Sequence, residues 1–451
     1  MAKMFFSLVL DKPDWRNEPY MKKRSAKYLL FSLVCLLAIA LMMVIRPAMP
    51  ERGDFQTFTQ YLEAQMPEQM SKYHVTGASV ALVHDSQLEY LQGFGYADEG
   101  KSAPITGDTL FQVASISKAV TAWGVMNLVE EGKIDLDAPV SSYLTRWQLP
   151  AAKYDLNQVT IRRMLSHSSG IANVGGYAGV SSTAELQSLE ESLISPNDAD
   201  RKGVRVVYQP GSKYQYSGGA YTLLQLVIEE ISGQSFVEFM KTQVLAPIGM
   251  TASTFESTPL AGSSVSGVFD QNGQSLPSHY FSSKAAAGLY SSAHDMAMFE
   301  IAMMLSGQES QSENVLSAET LREMYQPQPG LSQLLPYGLG FMLQPLRSAQ
   351  TIEVSHTGSN MPGWNSLITT LPEKGEGLVI LTNSPGGNQL RESLRSSWLY
   401  WATGETSYSS RLNKLMQILM IVVPIWIIGV FLLFLVPRII QKRINKRSIQ
   451  K

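Results

Sequence analysis

Ser115 and Lys118 stand three residues apart, where an extended segment beginning near Thr109 turns into a helix. On a helix that spacing stacks the two side chains on one face. A serine hydroxyl is a weak nucleophile until a neighbour takes its proton. A lysine one turn away can do so once burial or nearby charge lowers its pKa. Backbone N–H groups at a helix start also favour negative charge. The pair therefore offers an activated serine. The same spacing joins Ser448 to Lys451 in a basic tail with no other sign of a site, so the pair means little without context.

Two later segments supply that context. Residues 209–221 place Tyr216 in a glycine-rich turn just before a helix. Residues 354–360 carry His356, Thr357, Gly358 and Ser359 in a strand of small and polar residues, ahead of a turn at Pro362 and Gly363. Taken singly, Tyr216 is an ordinary half-buried tyrosine and His356 a strand-edge histidine. Together and in this order, Ser115-x-x-Lys118, Tyr216-Ser217-Gly218 and His356-Thr357-Gly358 resemble the three motifs of the serine β-lactamase and penicillin-binding-protein family. The likeness is to the class C-related branch, which also holds esterases and D-amino-acid peptidases. Residues 161–170, 245–250 and 287–295 look like further landmarks of that family, so the resemblance runs over 54–400.

The resemblance implies a fold and a set of roles. The fold is α/β (α+β): an antiparallel sheet flanked by helices, with a helical subdomain. Ser115 is the acylated nucleophile, Lys118 shares its proton, and Tyr216 is the general base or proton shuttle. Backbone N–H groups of Ser115 and Ser359 form the oxyanion hole, a large term in acyl transfer. His356, Thr357, Gly358 and Gly218 face the substrate. Gly218 departs from the pattern, because many relatives have an asparagine there that bonds the lysine and a substrate amide. Glycine has no side chain to do so, and a replacement would have to come from 172–207. His356 stands where many relatives carry lysine. None of the six histidines forms a zinc pattern, and no phosphate loop or dinucleotide fingerprint is present, so no metal and no cofactor is expected. His167, in Ser-His-Ser-Ser-Gly, reads as a structural turn residue.

The elements that must position these residues follow from periodicity. A helix is expected from Ser115 through Val129, closed by Gly132. Strands are expected at 78–83 and 89–96 around a polar turn at Asp85 and Ser86, and again at 338–343, 364–371 and 378–383. Helices are expected at 223–231 (closed by Gly233), 294–304, 318–325 and 388–403. Strands at both ends with helices between predict one sheet built from both ends of the domain. Residues 172–207 read as a loop-rich rim over a cleft.

The chain has 451 residues, a net charge of −2 and 45% hydrophobic residues, which gives no sign of a nucleic-acid partner. Its single cysteine, Cys35, excludes an intrachain disulfide. Residues 28–45 and 415–436 are uncharged runs, long enough to cross most or all of a hydrocarbon core. The first has no clean small-x-small cleavage site before Arg46, so it reads as an uncleaved anchor rather than a signal peptide. Basic residues flank the outer end of both runs, which predicts both termini in the cytoplasm and the middle on the far side of a bacterial inner membrane. The expected order is a cytoplasmic segment 1–27, a transmembrane helix 28–45, a hydrolase domain 50–410, a transmembrane helix 415–436 and a basic tail 437–451. The resulting expectation is a membrane-anchored serine hydrolase. It would cleave an ester, amide or peptide bond in a small-molecule or peptide substrate, as an esterase or D-amino-acid peptidase rather than a true β-lactamase. One alternative is a non-catalytic binding or regulatory protein that retains the fold, to which Gly218 points. Another is a penicillin-binding-protein-like carboxypeptidase acting on cell-wall peptides.

Overall fold

A computed structural model describes residues 18–44, 50–100, 102–173, 179–195, 202–259, 261–306, 316–328, 336–346 and 349–449. The chain divides into two units, Pro50–Glu405 and a second made of Met1–Met49 with Thr406–Lys451.

In the larger unit, helix α1 (Phe55–Tyr73) begins at the cap Asp54, whose carboxylate accepts from Thr57 N–H. Strands β1 (Gly77–His84) and β2 (Gln87–Gly95) form a hairpin. Its two-residue turn has positive φ at both Asp85 and Ser86, a backbone twist that matches paired strands. Strand β3 (Phe111–Gln112) leads to α2 (Ile116–Glu130), and α3 (Gly218–Ser232) follows the Tyr216 turn. Strand β4 (Tyr290–Ser291) pairs with β3 and runs into α4 (Ala293–Ala302). The chain then supplies β5 (Met342–Leu346), β6 (Thr351–Asn360), β7 (Trp364–Leu371), β8 (Glu376–Thr382) and the closing helix α5 (Gly387–Thr403).

The main sheet has the order β2-β1-β8-β7-β6-β5, and each pairing is antiparallel. The first and last parts of the domain thus meet at β1 and β8, as the sequence predicts. Strand alternation gives the sheet two buried faces. Ala78, Val80, Leu82, Leu378 and Ile380 join α1 and α5 residues such as Phe58, Leu62, Leu394 and Trp398. Ala81, Val83, Val379 and Leu381 face the other way, into a core with Val120, Trp123, Met296 and Phe299. Each large apolar side chain buried here contributes about 1.5–3 kcal/mol.

The strand expected at 338–343 is displaced to Met342–Leu346. Gly340, at φ +90°, takes a turn conformation that a side chain resists, and Gly338 N–H bonds back to Phe341 O. Pairing therefore starts only at Met342. Parts of 172–207 and of the stretch before Pro336 lie outside the described residues. The portions described hold short helices Leu189–Ile194 and Ala318–Met324.

The smaller unit consists of helices Glu18–Val44 and Tyr408–Ile449. They meet through Cys35, Ile418 and Val422, with Phe31 and Ile39 beside them, and Trp426 Nε1 donates to Ser32 Oγ at 2.9 Å. Lys414–Leu433 is long and apolar enough to cross a membrane, and most of it is exposed; Tyr28–Ile39 is a shorter apolar stretch.

Candidate active site

The turn that carries Ser115 is held from three sides. Ala114 has φ +53°, a conformation that is uncommon and strained outside glycine. Ser117 Oγ donates to Ala114 O at 2.6 Å, Val113 N–H donates to Leu289 O, and Ser366 Oγ donates to Val113 O at 2.7 Å. Ser115 then takes the N-cap position of α2. Its own φ and ψ are helical, and its hydroxyl makes no capping bond to the helix. The hydroxyl is therefore not spent on the role serine usually plays at a helix start.

Lys118 lies one turn on and is fully buried. Its Nζ donates to Ser115 Oγ at 3.3 Å and to Ala286 O at 2.8 Å, and sits 4.8 Å from the centre of the Tyr216 ring. Burial holds its pKa well below the ordinary lysine value. The segment carrying Ala286 is tied to α2 again by Thr121 Oγ1 donating to Ala285 O.

Tyr216 is positioned by His167. Gln215 N–H donates to His167 O and Ser217 N–H donates to His167 Nδ1, so the residues on both sides of Tyr216 are fixed to one histidine. The two rings pack at 4.3 Å between centres. His167 does occupy a turn, at φ +57°, but its ring is also part of the site wall with Tyr214, Tyr221 and Tyr337. Nothing in the sequence marked those tyrosines. Burial, then the nearby Lys118 and His356, hold the His167 pKa well below its usual range. The ring is neutral, with Nδ1 accepting and the proton on Nε2, a buried atom without a partner among the described residues.

His356 lies on β6 opposite Ile368 of β7. Its Nδ1 donates to Thr357 O at 2.8 Å, which leaves Nε2 as a buried acceptor without a partner among the described residues. Burial first, then Lys118, press its pKa down to about 3. At neutral pH it is an uncharged hydrogen-bonding group.

Thr357 is half-buried and Ser359 exposed on the same strand. Gly358 is where β6 meets the turn before Ser115: a Cβ there would fall 2.1 Å from Val113 O and 3.1 Å from Ala114 Cβ. Its lack of a side chain lets β6 pass close to Val113 and Ala114, just before Ser115. Pairing with β5 ends at Ser355, so among the described residues this stretch of β6 has no strand on that edge. Gly218 opens α3, and its N–H donates to Asn173 Oδ1 at 2.6 Å. A side chain from the rim thus reaches the position that lacks one.

Residues 57–399 match the family model for beta-lactamase. Among curated relatives, protein flp of Staphylococcus aureus is 27% identical over 44% of this chain, and the match spans only 39% of that relative's length. Penicillin-binding protein 4* of Bacillus subtilis is 24% identical over 72% of each chain. Of solved structures, the octameric penicillin-binding protein homologue from Pyrococcus abyssi superposes with a TM-score of 0.60 at 29% identity, over 73% of this chain and 74% of that one. The D-alanine carboxypeptidase AmpC from Burkholderia cenocepacia has the same fold, with a TM-score of 0.59 at 19% identity, covering 81% of this chain and 99% of that one. With a family model that spans the domain, the chain belongs to the beta-lactamase family of serine hydrolases.

Proposed function

We propose that the chain is a membrane-anchored hydrolase that works through an acyl-enzyme on Ser115, with esters and D-amino-acid amides or peptides as its substrate class. The observation that carries this is the 3.3 Å contact between Ser115 Oγ and the fully buried Nζ of Lys118. A buried lysine with a depressed pKa has a neutral amine that can take the serine proton as Oγ attacks a carbonyl. Tyr216, beside Nζ, passes that proton to the leaving group. Water then releases the acyl group by the reverse path. N–H groups of Ser115 and Ser359 hold the developing oxyanion.

Substrate choice rests on His356 and Gly218. A neutral imidazole holds a carboxylate weakly. A missing asparagine removes a hydrogen bond worth about 0.5–1.5 kcal/mol to a neutral amide; Asn173 stands near enough to return part of it. Both features disfavour a β-lactam, which brings a carboxylate and an amide. The test is intact mass after a fluorophosphonate, with kinetics on nitrocefin and p-nitrophenyl butyrate. A single adduct that Ser115→Ala abolishes, with ester turnover well above nitrocefin turnover, is expected. Equal labelling of both proteins, or efficient nitrocefin hydrolysis with no ester activity, defeats the reading.

The anchoring is supported by the apolar span Lys414–Leu433 and by the basic flanks of both apolar runs. Both termini are cytoplasmic in this arrangement. Alkaline-phosphatase fusions at Glu405 should be active and fusions after Lys451 inactive; a soluble product starting near Pro47 would show cleavage instead.

A further inference from the structure

Arg391, on the second turn of α5, is buried behind the strand that faces the nucleophile. Its Nη1 donates to Gly358 O at 2.6 Å and to Ser366 O at 2.9 Å, and lies 3.3 Å from Ser359 Oγ. These are unusual partners for a buried guanidinium, which more often meets a carboxylate. Burial lowers its pKa to about 10, with Glu392 opposing and Arg395 adding, so it remains a cation at neutral pH.

Gly358 C=O and Ser359 N–H belong to one peptide group. A trans peptide is planar and aims its C=O and N–H in opposite directions. With the carbonyl end turned to Arg391 and to Ser366 of β7, the N–H end is turned the other way. That side is the β6 edge left open beyond Ser355, next to the Val113–Ala114 turn that Gly358 touches. A cation on the carbonyl end also polarises the peptide and makes its N–H a stronger donor, as in any chain of hydrogen bonds.

We propose that Arg391 is a positioning residue for the oxyanion hole, acting through the Gly358–Ser359 peptide: it fixes the direction of the Ser359 N–H and strengthens it as a donor. This rests on the acyl-enzyme reading above. The role differs from simply gluing α5 to the sheet, because it predicts an effect on the acyl carbonyl itself.

The experiment uses the full chain in detergent. Wild type, Arg391→Gln and Arg391→Lys are acylated with an ester whose carbonyl is ¹³C-labelled, and the acyl carbonyl stretch is read by infrared difference. Affinity for phenylboronic acid, kcat, KM and Tm are measured alongside. In Arg391→Gln the stretch moves to higher wavenumber, boronate affinity and kcat each fall about tenfold or more, and KM stays within about twofold. Arg391→Lys restores part of the shift. An unchanged stretch and boronate affinity in Arg391→Gln, with only Tm lowered, overturns the proposal. If Arg391→Gln does not fold, Arg391→Lys decides: its shorter side chain sets the cation back from the two carbonyls that Nη1 reaches. A smaller shift in the same direction supports the proposal, and none overturns it. Absence of any Ser115 adduct in the wild type overturns the acyl-enzyme reading and this inference with it. An adduct with identical spectra in all three proteins overturns this inference alone.

Discussion

Two of the buried cations in this domain, Lys118 and Arg395, lie on opposite sides of β6 and behave in opposite ways. Arg395, from α5, donates through Nε to Glu353 Oε1 at 2.6 Å. Burial pushes its pKa down, but the Glu353 charge and hydrogen bond outweigh that and raise it. Lys118 meets a hydroxyl and a carbonyl, and burial carries its pKa down. The first arrangement keeps a charge and makes it structural. The second weakens the hold on the charge and favours an amine able to take a proton. The difference lies in the partner, not in the depth, since both side chains are nearly inaccessible.

The largest effect comes from swapping each cation for methionine. Lys118→Met should lower kcat/KM by roughly three orders of magnitude or more. It should not lower stability at neutral pH, because it removes a poorly solvated amine and keeps the volume. The sign follows from linkage. The lysine pKa is lower folded than unfolded, so between the two values the unfolded chain binds the extra proton and stability rises with pH. The gain in stability from Lys118→Met should therefore be greatest at low pH and vanish above about pH 10.4. Chemical denaturation from pH 6 to 10 checks it; a mutant less stable at every pH would break the contrast. Arg395→Met should cost about 3–5 kcal/mol, since it leaves Glu353 buried and uncompensated. Replacing Glu353 and Arg395 together by apolar residues should recover most of that loss. If the double substitution is as damaging as the single one, pairing is not what distinguishes the two sites.

The smallest effect belongs to the far end of β8, where Glu376 accepts from His84 Nδ1 at 2.8 Å. Burial raises its pKa to about 7; His84 and Lys374 pull against this and Asp85 adds to it. Here the folded state binds the extra proton. Stability should fall as pH rises from about 4.5 to 7, and Glu376→Gln should flatten that slope. A Tm profile with the same slope in both proteins would show that Glu376 is not its source.

Much of this was legible from residue order. The β1–β2 hairpin, the helix after Ser115 and the cap at Gly132 follow from alternation, spacing and one glycine each. Ser115, Lys118 and Tyr216 could be singled out as candidates because each motif is local. What could not be read is the contact of each residue with distant chain. His167 looked like a turn residue because its two bonds to the Tyr216 loop cross about 50 residues. Arg391 lies on an amphipathic helix where a buried arginine has no signature, and its partners are two strand carbonyls that any sequence would supply. Asn173 reaches Gly218 across 45 residues. The motifs named the chemistry, but the packing that aims it had no sequence pattern of its own.

The meeting of β1 with β8 has a consequence for how the chain is made. Gly77 N–H bonds Asn383 Oδ1, a partner 306 residues further along. Nearly the whole domain must be synthesised before the middle of its sheet can close. Contacts so far apart in the chain slow folding, because loop entropy is paid before they form. Until then the β1–β2 hairpin presents an open strand edge, the kind that pairs with other chains. A chain ending before Glu376 keeps that edge for good, and it should aggregate or be degraded rather than fold as a smaller domain.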